Sequence, residues 1–297
     1  MSGSKLSDLL RGFFSAGMIL LCPATAMRVA QAQTTIEKDG LEVEQGALPV
    51  ELGGRELNLE TRVFRPMGDG PFPLVLINHG TPNTIADARK MKLGFTQAAE
   101  WFGHQGFEVL IALRPGFGNS DGPYMEETGP CNNRDYARDG LETAAIEAAI
   151  VASASRLAKV DRSRIIVVGH SAGGFGAIAL ADAPPPGVVG IISFAGGRGG
   201  DDNENICSGE KRLVDGTAIL GKGNQVPQLW LFAANDHFFP PKIGHAMFDA
   251  YEAGSKQPMT FIDLPPFGAD GHQTFAGADP SVWASPVSAF IQSVLKR

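Results

Sequence analysis

The stretch Ile165-Ile166-Val167-Val168-Gly169-His170-Ser171-Ala172-Gly173-Gly174 decides the fold. Its four branched aliphatic residues read as a strand buried on both faces, because no polar residue alternates with them. The next five residues follow the pattern G-x-S-x-G, the mark of a sharp strand-to-helix turn that lifts a serine hydroxyl out of a sheet. The small residues have a steric reason: they let the backbone fold tightly and let the next helix start against the strand. The pentapeptide alone recurs by chance. Its context makes it specific, with an aliphatic strand before it and an apolar helix expected from Phe175 to Ala181.

Outward from the turn, strand and helix patterns alternate. Strands are expected at Arg55–Arg65, Pro73–Asn78, Phe107–Leu113, Val188–Ala195, Gln228–Ala233 and Thr260–Leu264. Helices are expected at Asp87–Gln105, Lys242–Ala253, Pro280–Leu295 and Asp135–Leu157, the last from the spacing of Leu141, Ala144, Ala145, Ala148 and Ile150. This alternation predicts an α/β fold, a mostly parallel central sheet of about eight strands flanked by helices, with antiparallel strands at its start. Two segments break the rhythm, near 115–134 and 196–223, the second with a brief helical pattern at Lys211–Leu220. Loops leaving the C-terminal ends of parallel strands carry sites, so these two are expected to wall the pocket.

The chain has 297 residues, 43% hydrophobic and 19% charged, enough for a sizeable core in one domain over 33–297. A net charge of −7 and the lack of any long basic run argue against binding nucleic acid or an anionic membrane. Residues 1–32 read as a cleavable export signal: Lys5 and Arg11 lead into apolar Phe13–Leu21, followed by Ala30-Gln31-Ala32. The apolar stretch is too short for a stable membrane span. Bulky Leu21 before Cys22 does not suit a lipoprotein signal. A secreted or periplasmic protein starting near Gln33 is therefore expected, with an uncleaved anchor or a disordered tail as the alternative. It retains Cys131 and Cys207, a candidate disulfide, with two unpaired thiols as the alternative.

A serine hydroxyl is a poor nucleophile until a base takes its proton, and the base must itself be oriented. Reading on from Ser171, Asp236 follows the strand 228–233 and His272 lies between the last strand and the last helix. Asp201 or Asp202, after the preceding strand, is the alternative acid, while Asp263 and Asp270 read as surface or turn residues. Of the remaining histidines, His170 reads as packing or pocket lining and His79 as a structural turn residue. His104 and His245 sit in expected helices, and His237 adjoins the acid.

In this arrangement the chain resembles the α/β-hydrolases, nearest the dienelactone-hydrolase-like esterases. The resemblance is carried by Asn78-His79-Gly80-Thr81-Pro82, Arg114-Pro115-Gly116-Phe117-Gly118-Asn119-Ser120-Asp121-Gly122-Pro123, the elbow, Asn235-Asp236 and Asp270-Gly271-His272. It implies a catalytic triad Ser171, Asp236, His272 and an oxyanion hole made by the backbone N–H groups of Ala172 and Thr81. Dienelactone hydrolases proper carry cysteine at the elbow. Ser171 departs from them and points to ordinary carboxylic esters, a small-molecule substrate.

Other patterns fail on inspection. Asp201-Asp202-Asn203-Glu204-Asn205 begins like a calcium loop, but Ile206 replaces the glycine and Arg212 the last ligand. Gly216–Lys222 resembles a phosphate loop, yet Gly223 stands where Ser or Thr should be, and Gly116-Phe117-Gly118 lacks the third glycine of a dinucleotide site. No Cys/His cluster has zinc spacing. No cofactor is expected. Phe117 and Tyr124 invite a pocket reading, Trp230 reads as core, and Phe238 and Phe239 fit core or pocket equally. A peptidase or amidase, or a C–C hydrolase, would use the same triad. A non-catalytic binding protein on this scaffold would have no need of all three triad residues. Acyl-chain length and oligomeric state leave no pattern in the sequence.

Overall fold

The computed structural model describes residues 34–82, 84–126 and 129–296; the export signal expected over 1–32 lies outside them. Three antiparallel strands come first: β1 (Thr34–Lys38), β2 (Leu41–Leu52) and β3 (Arg55–Pro66). The hairpin between β2 and β3 turns on Gly53 and Gly54, at φ 57° and 75°, values a tight hairpin needs and glycine adopts without strain. The alternating units follow: β4 (Phe72–Asn78), α1 (Ile85–Ala88), α2 (Thr96–His104), β5 (Glu108–Ala112), α3 (Tyr136–Ala154), β6 (Val160–His170) and α4 (Ala172–Leu180). The chain continues through β7 (Val188–Phe194), α5 (Glu210–Gly221), β8 (Gln228–Ala233), α6 (Pro241–Glu252), β9 (Met259–Leu264), α7 (Thr274–Gly277) and α8 (Ala284–Leu295).

One sheet holds all nine described strands in the order β1-β2-β3-β5-β4-β6-β7-β8-β9, parallel from β5 onward. The count exceeds the expected eight or so because β1 and β2 extend the antiparallel end. The central stretches of β4 to β8 are mostly apolar because both faces are covered. Along β6, Ile165 and Val167 pack with α3, α4, α5 and α6 on one face. Ile166 and Val168 pack with α2 and α8 on the other. Each such buried side chain contributes roughly 1.5–3 kcal/mol relative to exposure.

Two expected helices are broken. The pattern over 87–105 is interrupted because Phe95 takes a left-handed φ of 58°, so residues 89–95 form a loop before α2. The pattern over 280–295 is divided at Trp283, which ends a 3-10 turn at Pro280–Val282 and is fully buried. The hint at 211–220 becomes the full helix α5. No helix of the described residues is long and apolar enough to cross a membrane.

Strand order reverses at β4: the chain leaves it toward β5, then crosses over α3 to pair β6 on its other side. Such a switch point opens a crevice at the C-terminal strand ends. Thr81, after β4, and Ser171, after β6, stand on either side of it.

Candidate active site

Ser171 follows β6 directly and caps α4 at φ 54°, ψ −123°, a conformation that L-residues avoid and that costs on the order of 1–3 kcal/mol. The surroundings impose it. Ser171 N donates to Phe194 O at 3.0 Å, and Ser171 O accepts from Phe175 N and Gly197 N at 2.9 and 3.2 Å. A side chain at Gly173 would lie 2.7 Å from Asn78 O, so only glycine lets α4 start against the end of β4.

Asp236 sits in the loop after β8. Its Oδ1 accepts from the amides of Phe238 and Phe239 at 2.9 and 2.8 Å. This leaves the carboxylate turned to His272, whose Nδ1 lies 3.1 Å from Oδ2 and 3.2 Å from Oδ1. The pattern assigns the proton to Nδ1 and the lone pair to Nε2. The ring stacks on Phe238 at 4.4 Å, and its backbone carbonyl accepts from His170 Nε2 at 2.7 Å. Burial first, and then His272 nearby, hold His170 down to about 3, so it stays neutral. Asp270 joins the two loops, its Oδ1 accepting from His237 N and His272 N at 3.1 and 2.9 Å.

Two cavities meet at Ser171. One, of 440 Å³, is lined by Ala172, Thr81, Tyr124, Arg198, Phe239 and the disulfide that joins Cys131 to Cys207. The other, of 650 Å³, is lined by His272, Gly80, His170, Phe95, Met91 and Ala276. Among the described residues, the N–H groups of Ala172 and Thr81 find no hydrogen-bond acceptor. Both residues border the first cavity beside the serine.

The sequence matches the alpha/beta hydrolase family over residues 74–295. The chain belongs to the alpha/beta hydrolase family. Its fold is shared with Est1E of Butyrivibrio proteoclasticus, solved with ferulic acid bound, at 18% identity and a TM-score of 0.59, covering 84% of this chain and 100% of that one. Acetyl xylan esterase 1 of a Thermoanaerobacterium species is 16% identical with a TM-score of 0.56, covering 89% and 87% of the two chains. An esterase of Pyrococcus furiosus is 13% identical with a TM-score of 0.60, covering 90% and 98%. At these identities the likeness is one of fold. No curated protein matches the chain in sequence.

Within this hydrolase the other candidate acids and histidines have partners of their own. The Asp201 carboxylate closes its own loop, accepting from the amides of Asn203 and Asn205 at 2.9 and 3.0 Å, and His272 meets Asp236 instead. Asp202 lies in that same loop, its Oδ1 accepting from Asn203 Nδ2 at 2.9 Å. His237 is partly exposed against Glu204 at 3.1 Å, His245 meets Asp263 at 2.9 Å, and His104 contacts Asp39 O at 2.9 Å. Trp230 is core, and Phe117 is buried against His79.

Three buried polar residues were given no role by the sequence reading. Arg114, Glu126 and Arg198 form one ion-pair cluster beneath the turn 79–81. A signal existed for two of them. Arg114 and Arg198 stand just past strands buried on both faces, where a guanidinium must find a buried partner. Glu126, in an irregular loop, carried none.

Proposed function

We propose that this hydrolase is an exported serine esterase that cleaves carboxylic esters of small molecules through an acyl-enzyme. One arrangement carries the reading: His272 is bonded to Asp236 through Nδ1 while its ring borders the cavity that Ser171 also borders. In this mechanism His272 Nε2 takes the proton as Ser171 Oγ attacks the ester carbonyl, and Asp236 stabilises the imidazolium. The carbonyl oxygen, now an oxyanion, receives the N–H groups of Thr81 and Ala172. Collapse expels the alkoxide, which takes the proton from His272 and leaves as alcohol. Water, deprotonated by the same imidazole, then attacks the acyl-enzyme and frees the acid and Ser171.

The direction of proton delivery assigns the two cavities. The leaving oxygen must sit near His272, which places the alcohol portion in the 650 Å³ cavity. The acyl portion then occupies the 440 Å³ cavity, beside Ala172, Tyr124 and Arg198. Export is supported by the pattern over residues 1–32 and by the Cys131–Cys207 bond, since disulfides persist in oxidising compartments.

The test is labelling by a fluorophosphonate probe together with turnover of nitrophenyl esters of graded acyl length and of aminoacyl amides. Wild type should be labelled and should prefer esters, and Ser171→Ala should do neither. Equal labelling of both proteins, or a preference for amides, overturns the reading.

A further inference from the structure

We propose that Glu126, acting through Arg114 and through the Thr81 hydroxyl, is a positioning residue that aims the Thr81 amide into the oxyanion hole. The proposal rests on the esterase reading above. Glu126 enters from the irregular loop after β5 and is fully buried. Its carboxylate grips Arg114 in fork geometry: Oε1 accepts from Nε, and Oε2 from Nη2 at 3.0 Å. Arg114 in turn donates from Nη1 to His79 O at 2.6 Å and from its backbone N to His79 Nε2 at 3.0 Å. With Nε2 accepting, the His79 proton resides on Nδ1, which donates to Gly80 O at 2.7 Å. Burial first, and then Arg114, hold His79 down to about 3, so this neutral form persists.

The turn needs such restraint. Thr81 N belongs to the peptide that follows Gly80, and glycine resists rotation of that peptide less than any other residue. Both sides of Gly80 are tied to the same ion pair. His79 O is held by Arg114, and Thr81 Oγ1 donates to Glu126 Oε2 at 3.4 Å. A peptide N–H displaced by a fraction of an ångström loses much of its hold on an oxyanion, because these bonds weaken steeply with distance and angle.

Charge points the same way. Arg198 Nη1 also donates to Glu126 Oε2, at 3.3 Å, so two guanidinium groups share one carboxylate. Burial opposes the ionised form of Glu126, yet Arg114 and Arg198 hold it down to about 2. The nearby Glu147 carboxyl has no hydrogen-bond partner among the described residues, and burial pushes its pKa well up. Two guanidinium groups thus face the one Glu126 carboxylate beneath the turn. A buried ion pair of this kind is weak evidence for stability, yet removing one partner is strongly destabilising, so the thermal midpoint must be read beside the kinetics.

The test compares wild type with Glu126→Gln and Thr81→Val, the latter losing only the hydroxyl tie and keeping the backbone N–H. Ester kcat and KM, affinity for a trifluoromethyl ketone and thermal midpoint are measured for each. Positioning predicts that kcat falls about 10- to 100-fold, below the 10²–10³ of losing a donor outright. KM should stay within about twofold, and ketone affinity should fall in step with kcat/KM, because the bound hemiketal carries the oxyanion. A folded variant that keeps kcat and ketone affinity, or one that changes only KM, overturns the proposal. If Glu126→Gln does not fold, Thr81→Val decides by the same criteria. A wild type that neither hydrolyses esters nor binds the ketone overturns the esterase reading and this proposal with it.

Discussion

His272 Nδ1 lies 3.1 Å from Asp236 Oδ2 across 36 residues of chain. The carboxylate cannot swing away, because the amides of Phe238 and Phe239 hold its other oxygen. Nor can the imidazole slide, since Phe238 stacks on its face and His170 holds its carbonyl. Asp236→Asn keeps this shape but presents an amide that favours the wrong imidazole tautomer. The expected result is a fall in kcat of about 10⁴ with KM little changed. Steady-state kinetics on a nitrophenyl ester check it, and activity within tenfold of wild type would contradict a proton relay through His272.

Gly80 leaves no room for a side chain. A Cβ there would sit 3.0 Å from Ser171 Cβ and 3.4 Å from Ser171 Oγ. Gly80→Ala must push the serine or the turn aside by some tenths of an ångström. Small displacements at a reacting centre cost up to about 10² in rate, so kcat should drop roughly 10- to 100-fold. Fluorophosphonate labelling should slow in proportion. Unchanged labelling would place the serine's working position elsewhere.

The neutral His170 makes stability depend on pH. Its folded pKa, about 3, lies below the ordinary 6.5 because burial disfavours the charge and His272 adds to that. The unfolded chain binds the proton first, so the stabilisation is present above about pH 6.5 and drains away as pH falls toward 3. At pH 5 the loss from this one residue is on the order of 2 kcal/mol. His170→Gln can still donate to the His272 carbonyl but does not titrate. Urea unfolding from pH 7.5 to 5 should therefore show a shallower decline for this variant than for wild type; parallel declines would mean that His170 is protonated in the fold.

The disulfide joins the two irregular segments that wall the smaller cavity. Cys131 and Cys207 are 76 residues apart in sequence, and a cross-link of that span restricts the unfolded chain strongly. Replacing both by serine should cost about 2–4 kcal/mol. Tyr136 Oη on Cys207 O and Ser208 Oγ on Cys131 O at 2.7 Å remain to hold the loops near their places. Activity should survive, with KM for large acyl groups changing more than kcat. Loss of kcat for acetate esters equal to that for bulky ones would show that the clasp shapes Ser171 itself rather than the pocket.

Much of this was readable along the chain because the signals are local. Ile165 to Val168 need cover on both faces wherever they lie, and a glycine-flanked serine after such a strand has few conformations open to it. The order Ser171, Asp236, His272 needed only the positions of strand ends. Other features depended on distant partners. Gly94 and Phe95 break a pattern that looks helical, since the left-handed Phe95 packs its ring on Phe275 and His170. The long β2 escaped notice because Gly46 and Pro49 interrupt its alternation, which acquires meaning only when paired with β3.

The sequence by itself determined the alternation of strand and helix, the strained turn at Ser171 and the identity of the residues that could serve it. These follow from side-chain size, polarity and backbone freedom over a few neighbouring residues. Only the tertiary structure decided that Asp236 rather than Asp201 turns to His272, and that Cys131 meets Cys207. It alone showed that Glu126 and Arg114 grip the turn before Thr81. Such pairings are set where loops from separate strands converge at one edge of the sheet. A buried charge there needs a partner, and the residue that supplies it can lie anywhere in the chain.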